Sequence, residues 1–106
     1  MPRLSDSEIA DRLKTVPEWA RDGDRIRREF VFPTFPDAVA FIVRVGFEAE
    51  AVDHHPDIHV HYRRVTLVYW THSEGGLTQK DFDGAAAADR IAAAMSRTAP
   101  AETAET

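Results

Sequence analysis

The stretch Val52-Asp53-His54-His55-Pro56-Asp57-Ile58-His59-Val60-His61-Tyr62-Arg63-Arg64-Val65-Thr66-Leu67-Val68-Tyr69-Trp70-Thr71-His72 decides how this chain is read. Pro56 cannot continue a helix, and it pushes His55 before it toward extended geometry. Beyond it, Ile58 to Tyr62 and Val65 to Thr71 read as two strands joined tightly at Arg63-Arg64. In the second, Val65, Leu67, Tyr69 and Thr71 form one face, and Thr66, Val68, Trp70 and His72 the other. His72 ends that strand beside Ser73-Glu74-Gly75-Gly76, a flexible turn. All five histidines of the protein fall between His54 and His72. Histidine exchanges protons near neutral pH, with an unperturbed pKa of about 6.5. This cluster is the candidate site.

Upstream, Thr34-Phe35-Pro36-Asp37 opens a helix, with threonine as N-cap, proline in the first turn and aspartate at the third position. Ala38, Phe41, Ile42, Val45, Ala49 and Val52 then follow at helical spacing and form its apolar stripe. Phe47 lies off this stripe, so it either meets a second surface, such as another subunit, or stands exposed. His54 and His55 therefore sit just past a helix C-terminus, whose dipole favours an added positive charge by about 0.3–1 kcal/mol.

Further back, Trp19 to Phe32 reads as a hairpin turning at Asp22-Gly23-Asp24. Its best phase puts Arg28, Phe30 and Phe32 on one face, with a bulge or a change of burial to accommodate the imperfect alternation. Ser5-x-x-Glu8 is a capping box for a first helix from about Asp6 to Thr15, burying Ile9 and Leu13 and ended by Pro17. Downstream, Thr78-x-x-Asp81 caps a last helix carrying Phe82, Ala85, Ala86, Asp89, Ile91, Ala92 and Met95 to about Arg97. The order is helix, two strands, helix, two strands, helix. That is an α+β fold: an antiparallel sheet of four strands with three helices packed on one face.

The 106 residues are enough for one domain, assigned to residues 1–98, with residues 99–106 as a disordered tail. A net charge of −5 argues against a nucleic-acid partner. The pairs Arg27-Arg28 and Arg63-Arg64 read as solvated strand edges. The chain has no cysteine, hence no disulfide or thiolate chemistry. No apolar run suits a membrane span or signal peptide, and a cytoplasmic setting is expected.

Three readings compete for the histidines. The plainest, solvated or hydrogen-bonded side chains, suits His59 and His61, which share a strand face opposite Ile58, Val60 and Tyr62. A metal site would pair His59-x-His61 with Asp57 or Glu50, but no established ligand spacing supports it. Acid–base catalysis without a metal would set His54 or His55 against His72 across a cleft, with Glu50 or Asp81 orienting an imidazole.

Glu50-Ala51-Val52-Asp53-His54-His55-Pro56-Asp57, Thr71-His72 and Gly75-Gly76-Leu77-Thr78-Gln79-Lys80-Asp81-Phe82 together closely resemble the pterin-4a-carbinolamine dehydratase family. The similarity is dense from about Glu50 to Ala88. It implies the same α+β fold and dehydration of 4a-hydroxytetrahydrobiopterin, or a related 4a-hydroxytetrahydropterin, to quinonoid dihydropterin and water in tetrahydropterin recycling. No cofactor is implied, because the pterin is itself the substrate. By motif, His54, His55 and His72 are the catalytic imidazoles, His54 and His72 moving protons and His55 mainly holding the pterin. Glu50, Asp53, Pro56, Trp70, Thr71, Ser73 and Asp81 are implied as substrate-binding or supporting residues. The resemblance further implies a homodimer or homotetramer and a possible protein partner, some members serving as cofactors of a transcription factor. A non-catalytic oligomerisation or protein-binding module on the same fold is the alternative. Two positions depart from the pattern. Ile58 stands where many members have an aromatic residue, and Trp70 where many have a small polar one. Trp70 either replaces a stacking surface or fills the pocket.

Overall fold

A computed structural model describes the backbone of residues 2–103 and the side chains of residues 2–96. Helix α1 (Asp6–Leu13) leads into strands β1 (Ala20–Asp22) and β2 (Arg25–Val31). Helix α2 (Phe35–Val52), strands β3 (Asp57–His61) and β4 (Arg64–Tyr69) and helix α3 (Gln79–Thr103) follow. The four strands make one antiparallel sheet in the order β1-β2-β4-β3.

Local sequence explains where each helix starts. Ser5 Oγ accepts from the Glu8 amide, and the Glu8 carboxylate accepts from the Ser5 amide, which completes the expected box. At α2, Thr34 accepts from the Asp37 amide, and Pro36 stands in the first turn. At α3, the Thr78 amide donates to Asp81 Oδ2, and the Lys80 amide donates to Thr78 Oγ1. Each cap satisfies amides that have no partner inside the helix.

Alternation places Ile26, Phe30, Val65, Leu67 and Tyr69 on one sheet face, where they pack with Ile9, Phe41, Val45, Phe82, Ala85 and Ala88 in one core. Trp19 closes this core at one end, its ring 6.0 Å from Phe30 and 5.8 Å from Tyr69. Its Nε1 donates to Asp89 Oδ1, the oxygen that also holds Arg28 Nη1 at 2.7 Å. Asp89, a lone acid in an apolar stripe, is thus occupied twice. Arg28 is accordingly no solvated edge residue. It turns inward, lies over Phe30 and pairs with Asp89.

Several boundaries differ from the sequence reading. Helix α1 stops at Leu13, short of Thr15, because the Lys14, Thr15 and Val16 amides bond three residues back and tighten the chain before Pro17. No bulge interrupts β2; its ladder runs unbroken from Ile26 to Val31, and the change of burial falls at Arg28. The β3–β4 turn is Tyr62-Arg63, not Arg63-Arg64, with Tyr62 in the left-handed region at φ 55°. Val52, expected in the apolar stripe, is exposed, and the buried stripe of α2 ends at Ala49. β4 ends at Tyr69, so His72 opens a short 3-10 turn, His72–Glu74, instead of ending a strand. Helix α3 continues past Arg97 to Thr103, and residues 104–106 of the expected tail lie outside the described residues. Among the described residues, no helix is long and apolar enough to cross a membrane.

One close approach fixes α3 against the sheet. A Cβ built on Gly84 would sit 2.5 Å from Tyr69 Cε1, and the Tyr69 side chain is fully buried. Gly84→Ala gains about 1 kcal/mol of helix propensity but forces overpacking that costs about 1–3 kcal/mol. The expected result is a net loss, read as a lower Tm in thermal melts. An unchanged or raised Tm would show that the Tyr69 ring can yield.

Candidate active site

The loop after α2 carries the first two imidazoles. Asp53 ends the helix in the left-handed conformation at φ 54°. The His54 amide then donates to Ala49 O and the Asp53 amide to Glu50 O, a double closure typical of helix ends. This reversal aims His54 back at the start of α3. Its Nε2 lies 2.6 Å from Asp81 Oδ1, and its ring stacks on Tyr69 at 6.0 Å.

Asp81 is the centre of this arrangement and is 0% exposed. Its second oxygen, Oδ2, accepts from Thr71 Oγ1 at 2.8 Å and from the Thr78 amide at 2.9 Å. Thr71 and Thr78 also share a hydroxyl hydrogen bond of 2.9 Å. A carboxylate with two fixed donors on Oδ2 presents Oδ1 as an acceptor to His54. An imidazole that gives its Nε2–H to that acceptor keeps Nδ1 free for substrate. The sequence reading left Asp81 either as a helix cap or as an orienting acid; in the structure it accepts from the Thr78 amide at the start of α3 and also meets His54.

His55 takes a different environment. Its Nε2 meets Glu50 Oε1 at 2.8 Å, with the two side chains 54% and 81% exposed. Such a pair adds little stability. His72 is exposed on its 3-10 turn, and its ring lies 3.7 Å from the Trp70 ring at an interplanar angle of 37°. The Arg25 guanidinium lies 4.4 Å from the centre of the same indole. Tyr69 and Thr71 turn toward the core and Asp81; Trp70, between them in alternation, meets Arg25 and His72 instead.

Of the residues expected at the site, His54, Thr71 and Asp81 are joined by direct hydrogen bonds, and Trp70 and His72 by ring contact. Among the described residues, Glu50 pairs with His55 alone. Pro56 is half-buried at the start of β3, while Asp53 and Ser73 are exposed and make no side-chain hydrogen bond among the described residues. His59 and His61 lie exposed on β3, an edge strand whose five residues are all exposed. Among the described residues, no three histidine or acidic side chains come together as metal ligands.

Three neighbours escaped the sequence reading as parts of the site: Arg25, Tyr69 and Thr78. Tyr69 shares a strand face with Thr71, a signal that was available. Burial, reinforced by the negative charges of Glu48 and Asp81, pushes its hydroxyl above the ordinary phenol range. Arg25 gave no local signal, because only the Ile26–Tyr69 pairing brings it opposite Trp70.

Comparison with known proteins bears on this geometry. The family model described as pterin 4 alpha carbinolamine dehydratase matches residues 2–91. A protein of Roseiflexus sp. (strain RS-1), provisionally named pterin-4-alpha-carbinolamine dehydratase, is 55% identical over 89 residues, covering 84% of this chain and 96% of its own. A similarly named protein of Chloroflexus aurantiacus is 52% identical over 91 residues, covering 86% and 98%. The crystal structure of a transcriptional coactivator/pterin dehydratase from Brucella melitensis superposes with a TM-score of 0.82 at 35% identity, covering 85% of this chain and 98% of that one. The matched span takes in every residue of the Asp81 network and of the Trp70 stack, and this chain belongs to the pterin 4 alpha carbinolamine dehydratase family.

Proposed function

We propose that the chain dehydrates a 4a-hydroxytetrahydropterin, such as 4a-hydroxytetrahydrobiopterin, to quinonoid dihydropterin and water in tetrahydropterin recycling. The observation that carries this reading is the 2.6 Å contact from His54 Nε2 to a fully buried Asp81 already held by Thr71 and Thr78. An imidazole oriented by a fixed carboxylate is equipped for proton transfer. In the reaction, an acid protonates the C4a hydroxyl, the C4a–O bond breaks and water leaves. A base removes the N5 proton, and the freed electron pair forms the C4a=N5 bond. One proton is given and one is taken, so the enzyme ends in the same total protonation. His54 and His72 are the proton-transfer groups in this proposal, and His55 holds the pterin. Mixing the protein with freshly generated 4a-carbinolamine and following quinonoid absorbance tests it; a rate no higher than the uncatalysed dehydration overturns it.

A second reading, a protein-binding role, draws on one surface. Phe35, Val39, Val43 and Phe47 lie four residues apart along α2 and are 48%, 40%, 51% and 76% exposed. Phe35 stacks on Tyr62 beside the exposed Ile58 and Val60 of β3, which extends the apolar surface to the sheet edge. Uncovered apolar area on this scale marks an interaction surface. We take it as the contact of a homodimer or homotetramer. Phe47→Glu combined with Val43→Glu is expected to lower the mass seen by sedimentation to that of one chain. An unaltered mass would sink the assignment. The Brucella melitensis protein is described as a transcriptional coactivator as well as a pterin dehydratase, and a partner on the same surface suits that role. That role would survive His54→Ala and His72→Ala and be lost in the α2 variant.

A further inference from the structure

The imidazoles differ in how they are held. His54 and His55 each have a carboxylate partner, whereas the His72 ring makes no hydrogen bond among the described residues. It projects from a three-residue 3-10 turn that ends in Gly75, at φ 66°. Among the described residues its ring meets the Trp70 indole, 3.7 Å away. Trp70 in turn has a buried Nε1 without a hydrogen-bond partner among the described residues, so its ring is fixed by what lies on its faces and not by its polar edge. What lies there besides His72 is the Arg25 guanidinium. Register explains the meeting: Ile26 pairs with Tyr69, so Arg25 and Trp70 occupy the next opposed positions at the sheet end. Arg25 forms no ion pair or hydrogen bond among the described residues that would draw it elsewhere.

The geometry points to Arg25 as a positioning residue that acts through Trp70 to hold the His72 imidazole in one orientation for proton transfer. This inference rests on the dehydratase reading given above. It also changes the role of Trp70, whose indole carries a catalytic imidazole and neither replaces a pterin-stacking surface nor merely fills the pocket. Guanidinium–indole stacking suits the task, because a planar cation covers an aromatic face without competing for its edge.

The test compares Arg25→Ala, Arg25→Lys, Trp70→Leu and the double variant Arg25→Ala/Trp70→Leu in the full chain. Arg25→Ala is expected to lower kcat about tenfold with KM within about twofold, since misplacement of a catalytic group costs rate more than binding. Arg25→Lys restores part of the rate, because it keeps a cation on the indole. The double variant is no slower than Trp70→Leu alone, because Arg25 acts only through that ring. A readout independent of turnover is the NMR position of the His72 ring protons. The indole ring current shifts them upfield in the unaltered protein, and they relax toward free-histidine values in Arg25→Ala. Losses that simply multiply in the double variant, or full rate with unmoved His72 signals in Arg25→Ala, overturn the inference while the dehydratase reading stands. An unaltered protein with no rate above background overturns that reading, and this inference with it.

Discussion

His72→Ala is expected to lower kcat/KM by about 10²–10⁴, the range in which one positioned acid or base contributes to a proton-transfer step. The fold should not notice. His72 is exposed, makes no hydrogen bond among the described residues, and sits on a short turn outside the core. Its removal leaves the Trp70 indole with one covered face fewer and disturbs no buried polar group. Surface substitutions of this kind change stability by about 0.5 kcal/mol or less. Loss of rate with an unshifted Tm would therefore be a chemical effect. Stopped-flow measurement of quinonoid formation decides it, and a rate equal to that of the unaltered protein removes His72 from the mechanism.

Asp81 offers the opposite case, in which catalysis and stability fail together. Asp81→Ala strands the Thr71 hydroxyl, the Thr78 amide and His54 Nε2, all of which lose their acceptor at once. Unsatisfied groups at a buried site make the expected loss about 3–5 kcal/mol, visible as a large drop in Tm. Asp81→Asn separates the two effects. Its carbonyl oxygen can still accept from Thr71 and Thr78, which preserves the start of α3. Its NH₂ then faces His54 and becomes the donor, so Nε2 must accept and the proton of a neutral imidazole moves to Nδ1. The imidazole would present the wrong tautomer to substrate. A fall in kcat of about 10² with a much smaller loss of Tm than in Asp81→Ala is the expected pattern. An Asp81→Asn protein with full rate would show that the tautomer of His54 does not matter to turnover.

Most of the fold was legible because its signals are local. The caps at Ser5, Thr34 and Thr78 each follow from residues three apart, and the α2 stripe from one helical period. Alternation along Val65 to Thr71 separated the two faces of β4, and the structure buries the one with Val65, Leu67 and Tyr69. Where the reading strayed, the cause was non-local. Arg28 looked like an edge residue because Asp89, its partner, lies on another element. The β3–β4 turn was placed one residue late because Tyr62, an unusual left-handed residue, carries no turn signature. At the site, the motif supplied the histidines and Asp81, while the fixation of His72 required the β2–β4 register and stayed invisible in the string of residues.

Residues 53–56 are all that separate α2 from β3. Surface connections usually absorb insertions readily, each doubling of length costing only about 0.6 kcal/mol. This one has no slack. Asp53 reverses the chain, the His54 amide is tied to Ala49 O, and Pro56 immediately precedes the strand. One residue added after Asp53 would put the newcomer where His54 stands and slide His54 into the place of His55. The imidazole facing Asp81 would then be exchanged for whatever was inserted. Lengthening a loop, the usual route by which a scaffold acquires new specificity, is closed at this corner.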